Sequence, residues 1–328
     1  MTTRANVMSR SLAAFDQDST LIAVIELSKE SWLVAGLIPG VERQPKKKME
    51  PDAEDLLRLL GRWRDEAVKG GRPITRIAVA YEAGRDGFWL ARWLESHGIE
   101  THVIHSTSVA VSREKRRAKT DRVDAEMLLR VFLGWLRGER GHCSMVAVPT
   151  IEAEDARRPG REREALVAER TRIINRMKAD MARLGVHGFK PHLRSAPKKL
   201  GSVRTPEGVA VPPNTKAELE RDMARLAVLR EQIVAIEKAR LERIKNAPDN
   251  GPHAMIRLLA RVLGLGIETA DMLVNEVMTR GLRDRRAVAR YAGITGSPDE
   301  SGSRRREKGL AKAGEIARIE VALLDQRL

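Results

Sequence analysis

Asp121 and Asp124 stand three residues apart where a basic run, residues 113–119, gives way to helical patterning. That spacing puts both carboxylates on one face of a helix, where they can hold a divalent cation. Arg113, Lys115, Arg116, Arg117 and Lys119 before them, and Arg122 between them, could hold a polyanion beside that metal. Chemistry on a nucleic-acid backbone needs this pairing of metal and cations. A capped helix start, with Thr120 or Asp121 accepting from free amides and the cations solvated, explains the same residues. Two further acids, Glu26 and Glu82, end apolar runs upstream. In a layered α/β domain, strand ends and a neighbouring helix start converge on one sheet edge. Four carboxylates so placed repel unless a cation neutralises them, and hard oxygen donors select Mg²⁺ or Mn²⁺. Two such ions about 4 Å apart can clamp the attacking and leaving oxygens of a phosphodiester displacement. Far downstream, residues 293–309 are rich in Gly and Ser and carry Arg304, Arg305, Arg306 and Lys308. A hydroxyl nucleophile held among cations has this composition, and so does a flexible surface loop.

These residues need elements to position them. β-branched apolar runs at 20–27 and 32–38, separated by 28–31, predict a hairpin, and a third strand is expected within 41–49. Pro51 opens a helix over 52–69. A buried strand over 74–81 ends in Glu82, followed by a helix over 86–97, a strand over 101–104 and a helix over 121–137. Trp89 and Trp93, at helical spacing, are expected in the core. The order is that of an α/β domain with a mixed sheet covered by helices. From residue 149 Glu, Arg, Ala and Leu dominate, and two long antiparallel helices joined by the connector 185–213 are expected, as a structural arm or coiled coil. Residues 258–273 predict two helices around a glycine turn, either a helix-hairpin-helix whose amides meet a phosphate or a plain αα-corner. A short helix is expected over 283–291. The expected divisions are a loose tail (1–18), the α/β domain (19–148), a helical region (149–250) and a carboxy-terminal segment (251–328).

With 60 Lys and Arg against 45 Asp and Glu, the 328-residue chain carries a formal charge of +15, which implies an acidic partner. The clustering of the cations favours nucleic acid over a membrane surface, and no apolar stretch approaches the ~20 residues of a spanning helix. Arg4 and Arg10 are followed by Asp16 and Asp18 before any apolar run, unlike a signal peptide. A single cysteine, Cys143, fits a reducing cytoplasm. Aromatics at 3% argue against binding by rows of stacked rings. Zinc-spaced ligands, Walker-A and dinucleotide-binding glycine patterns are absent.

Residues 119–125 (Lys-Thr-Asp-Arg-Val-Asp-Ala), preceded by Tyr81-Glu82-Ala83-Gly84 and followed by Ser301-Gly302 and by Gly-Leu-Ala-Lys-Ala-Gly at 309–314, closely resemble the DEDD transposases of insertion-sequence family one hundred and ten. The resemblance is to the branch with a long amino terminus, related to pilin-gene invertases, and covers about residues 21–314. It implies a RuvC-like, ribonuclease-H-type α/β domain, a long helical coiled-coil insertion and a small, mainly α carboxy-terminal transposase domain. It also implies an RNA-guided recombinase, acting on element ends and target DNA with a structured bridge RNA, as a dimer or tetramer. The family's four acids fall on Glu26, Glu82, Asp121 and Asp124, and its nucleophilic serine on Ser301. Lys29 resembles a family lysine, and Arg122 is expected to pair a carboxylate or phosphate. Glu26 stands where aspartate is usual, and the sequence after Gly314 departs from the family, as in a truncated or frameshifted copy. The competing readings are an inactive transposase remnant that binds nucleic acid, a RuvC-like nuclease using water, and a helical scaffold.

Overall fold

The computed structural model describes residues 15–84, 87–109, 121–278, 285, 297–301 and 304–308. The chain divides into two compact units, Met1–Pro149 and Thr150–Leu328. The helical region and the carboxy-terminal segment both fall in the second.

The first unit runs β1 (Thr20–Leu27), β2 (Trp32–Leu37), β3 (Lys46–Met49), α1 (Ala53–Lys69), β4 (Arg76–Glu82), α2 (Trp89–Ser96), β5 (Glu100–Ile104), α3 (Asp121–Leu136) and β6 (Met145–Val146). The six strands form one sheet in the order β3-β2-β1-β4-β5-β6. β1, β4 and β5 are parallel, whereas β2, β3 and β6 join antiparallel. Leu21 to Ile25 have no exposed surface, because β1 is central and covered on both faces, which is why it reads as an unbroken apolar run. Alternation sends Leu21, Ala23 and Ile25 into one layer with Leu56, Leu60 and Trp63 of α1 and Leu90 and Leu94 of α2. Ile22 and Val24 face the other layer with Ala125, Leu128, Leu129 and Phe132 of α3. Asp52 starts α1 by accepting from the Asp55 amide at 2.9 Å. A Cβ on Gly36 would lie 2.6 Å from the Trp63 ring, so only glycine lets that indole settle on β2.

Three features differ from the sequence expectation. α2 begins at Trp89 rather than near residue 86, because Gly87, at φ +69°, is in a left-handed turn. Trp89 therefore sits at the helix start and is 44% exposed rather than in the core, while Trp93 is half-buried against it. Strand β6 was also not foreseen; two residues are too few to show a period.

In the second unit come α4 (Ile151–Asp155), α5 (Arg158–Arg183), α6 (Ala196–Leu200), α7 (Pro213–Asn246), α8 (Gly251–Leu259), α9 (Ile267–Met272) with a π-helical turn over Leu273–Val277, β7 (Ser297–Ser301) and β8 (Arg304–Lys308). Arg163 pairs with Glu237 and Arg176 with Asp222, so α5 and α7 run antiparallel. Ile173, Met177 and Met181 pack against Leu219, Met223, Leu226 and Leu229 between them. Ser297–Ser301 and Arg304–Lys308 are paired antiparallel strands rather than parts of a loop, with Ser301 opposite Arg304. Of the expected helix over 283–291 only Arg285 is described, and residues 1–14 and those after Lys308 lie outside the described residues. No helix among the described residues is long and apolar enough to cross a membrane.

Charge pairs link neighbouring elements within each unit. Arg76 donates to both Glu100 oxygens at 2.7 Å, and His102 Nε2 lies 2.7 Å from Oε1. Burial pushes the Glu100 carboxyl up, but the hydrogen bonds from His102 and Arg76 outweigh it and lower its pKa from 4.5 to about 2. A depressed carboxylate stabilises the fold above its unfolded pKa, and that contribution fades as pH falls from about 4.5 to about 2. Glu100→Gln is therefore expected to lower stability at neutral pH, with the gap to wild type closing across that window in denaturant titrations. In the second unit Arg240, only 4% exposed, pairs with Glu268 and has Nε 3.2 Å from Asp271. Burial pushes the Asp271 carboxyl up and Arg240 opposes it. Arg161 meets Glu276 at 2.7 Å, a second link from the long helices to the segment around α9. Arg240→Met leaves Asp271 buried beside Glu268 and is expected to cost about 3 kcal/mol of unfolding free energy.

Candidate active site

The parallel ladder between β1 and β4 pairs Ile25 with Tyr81 at its last rung. The next residues, one past that rung, are Glu26, next to last in β1, and Glu82, last in β4, so two acids stand near the ends of neighbouring strands. Alternation turns both toward the layer of α3, since Ile25 and Tyr81 face the layer of α1 and α2. Glu26 is half-buried with its Oε2 shut off from solvent, and Glu82 is exposed.

The direction of α3 follows from its two ends. Just past its carboxy terminus, Arg137 donates to Gln17 ahead of β1 at 2.6 Å. Nearer the start, Glu126 forms an ion pair with Lys46, which lies opposite Ala35 and so level with Val24. α3 is thus antiparallel to β1, and its first turn, containing positions 121, 122 and 124, lies beyond Glu126 toward the edge where Glu26 and Glu82 end. Ala125, Leu128 and Phe132 fasten it to the sheet. The structure describes the Asp121, Arg122 and Asp124 positions as helix and not their side chains. Among the described side chains no three His, Cys, Asp or Glu groups cluster as a metal site. Arg113, Lys115, Arg116, Arg117 and Lys119 lie outside the described residues. Lys29 is exposed in the β1–β2 turn.

Ser301 ends β7 in the second unit, and Arg304, Arg305, Arg306 and Lys308 make up most of β8. The two strands pair antiparallel, with Ser301 opposite Arg304 and Ser297 opposite Lys308. α8 and α9 form the expected pair of helices around Gly264, whose φ is +85°. Leu263 beside it is fully exposed, and Ile256, Ala270 and Val274 make the small core between the helices.

Sequence reasoning missed the Tyr81 hydroxyl. It donates to the Gly87 carbonyl at 3.2 Å and accepts from the Ala91 amide at 3.3 Å, clamping the turn from β4 into α2 directly behind Glu82.

Comparison with known proteins accounts for most of the chain. A family model of DEDD transposases of the IS110 type, described as "Transposase", matches residues 25–184, a span holding Glu26, Glu82, Asp121 and Asp124. A second, "Transposase IS116/IS110/IS902 family", matches residues 256–318, which include Ser301 and β8. The Sinorhizobium fredii (strain NBRC 101917 / NGR234) protein named "Putative transposase y4rJ" is 40% identical over 301 residues, covering 88% of this chain and 75% of the relative. Two matched segments in order, with a relative aligned along most of its length, establish that the chain belongs to the IS116/IS110/IS902 family of transposases.

Proposed function

We propose that this transposase cuts and rejoins DNA with a RuvC-like metal site of Glu26, Glu82, Asp121 and Asp124 and with Ser301 as nucleophile, directed by a guide RNA. The observation that carries the reading is the adjacency of Glu26 and Glu82 at the edge toward which α3 starts. The donors are all hard oxygens, which fits Mg²⁺ or Mn²⁺. When bound, such an ion supplies electrophilic activation of the phosphate and stabilises the leaving 3′-oxygen. Ser301 Oγ forms a bond to phosphorus as the bond to the 3′-oxygen breaks, leaving a phosphoserine link and a free 3′-hydroxyl. Attack by another 3′-hydroxyl reverses the step and releases the serine, so no external energy source is consumed. Arg304, Arg305, Arg306 and Lys308 on β8, with Arg113, Lys115, Arg116, Arg117, Lys119 and Arg122, hold the backbones. Delegating sequence to RNA pairing suits a chain whose charge of +15 favours backbone contacts.

Assembly from several copies belongs to the same reading, and α7 supports it. One flank of α7, about a quarter turn from the buried seam, carries Ala227, Val234 and Leu241 seven residues apart, with Val228 and Ala235 farther round, all exposed. That is a heptad seam without a covering element among the described residues. An antiparallel copy with its two-fold axis between positions 234 and 235 sets Val228 against Leu241 and Glu231 against Lys238, so the stripe is self-complementary.

Asp121→Ala or Asp124→Ala is expected to lower Mg²⁺-dependent strand cleavage by at least about 100-fold. Ser301→Ala should abolish the covalent protein–DNA adduct on denaturing gels while DNA binding persists, and an adduct surviving in that variant contradicts the serine assignment. In sedimentation analysis, Glu231→Lys or Lys238→Glu alone should weaken self-association and the double swap restore it. A wild-type chain that stays monomeric, or single swaps without effect, rejects the α7 interface.

A further inference from the structure

Trp89 is the one aromatic ring among the exposed large apolar side chains of the described residues. Its surroundings hold it in place. Trp89 opens α2 between Gly87 and Ala91, the two backbone sites that the Tyr81 hydroxyl clamps. Beneath it lies Trp32, 3% exposed, with ring centroids 6.2 Å apart and planes tilted by 39°. Trp32 is paired with Leu27, the residue after Glu26, so the two indoles sit at the same sheet edge as the paired acids. The acids turn to the α3 face and the indoles to the α1–α2 face. A nucleic-acid strand crossing that edge passes the acids on one face and the indoles on the other.

We propose that Trp89 is a stacking platform for one unpaired nucleobase of the strand that crosses the Glu26–Glu82 edge. The choice of ligand rests on the phosphodiester chemistry proposed for that edge. An indole held against buried Trp32 and still 44% exposed gives up little conformational freedom on binding, and every base offers a π-face to it. The exposed 44% of so large an apolar side chain has no return in the folding of this unit, whose core closes on Trp32, Leu90 and Leu94. With aromatics at only 3% of the chain, a single platform replaces a row of stacking rings.

The test is binding of the full chain, without divalent metal, to oligothymidine, oligouridine and an abasic oligomer of the same length, read by fluorescence anisotropy. Trp89→Ala should weaken binding to a base-bearing oligomer by about 5- to 100-fold and leave the abasic oligomer unchanged. Trp89→Leu, which still covers Trp32 but has no π-face, should behave like alanine, and Trp89→Phe should retain most of the affinity. The oligomer with the larger loss identifies the stacked strand as DNA or RNA. An equal loss on all three oligomers, or no loss on any, overturns the proposal. Because the assay needs no cleavage, it reads Trp89 even if the carboxylates prove inactive, and a null result here leaves the metal site to its own variants.

Discussion

Ile25 faces Tyr81 across a parallel ladder, and that register decides where the following residue of each strand goes. A slip of one residue would turn Glu82 away from α3 and into the layer of Leu90 and Leu94. The register is held by burial on both faces: Ile22 and Val24 against α3, Ala23 and Ile25 against α1 and α2, none with exposed surface. Two carboxylates side by side oppose the fold electrostatically, so the apolar packing of the strand bodies must outweigh their repulsion. The domain keeps the pair near the strand ends, with Glu82 exposed and Glu26 half-buried, rather than within the sheet. α3 is oriented by the same means, with Phe132 fully buried and Lys46–Glu126 and Gln17–Arg137 contacts along its length.

The second unit is held in a different way. Its long helices have a narrow apolar seam, and the polar pairs that cross it are bidentate or shared. Asp222 takes both Arg176 and Arg225, and Arg163 reaches both Glu237 and Glu268. Such pairs contribute little net stability when exposed but fix register, because a shifted helix would leave Asp222 or Arg240 buried without a counter-charge. They carry the α9 segment on the helical pair. Ser301 belongs to this unit, and the acid pair to the first.

Elements buried on both faces were legible, since β1 and β4 need continuous apolar runs and have them. The helix after Pro51 and the antiparallel long helices were legible for similar local reasons, although Asp52 proved to cap the first of them rather than to lie within it. The pairing of β7 and β8 was not, because Ser-Pro-Asp-Glu-Ser and Arg-Arg-Arg-Glu-Lys carry no apolar alternation. Trp89 was misplaced because its spacing to Trp93 is helical, whereas Gly87 delays the helix and leaves Trp89 at its open end. Pairs such as Arg161 with Glu276 join residues too distant in sequence for any local pattern to reveal. Of the candidate site, Glu26, Glu82 and the helix starting at Asp121 could be named in advance. The placement of Glu26 and Glu82 on neighbouring strands depends on strand order, which no single stretch encodes.

The most direct measurement of the central claim is Mn²⁺ titration of the full chain by electron paramagnetic resonance, comparing wild type with Glu26→Gln and Glu82→Gln. Bound Mn²⁺ in the wild type, lost or strongly weakened in both variants while their folds stay intact by circular dichroism, is the predicted result. Equal Mn²⁺ binding in all three, or none in the wild type, would contradict a metal site at the paired ends of β1 and β4.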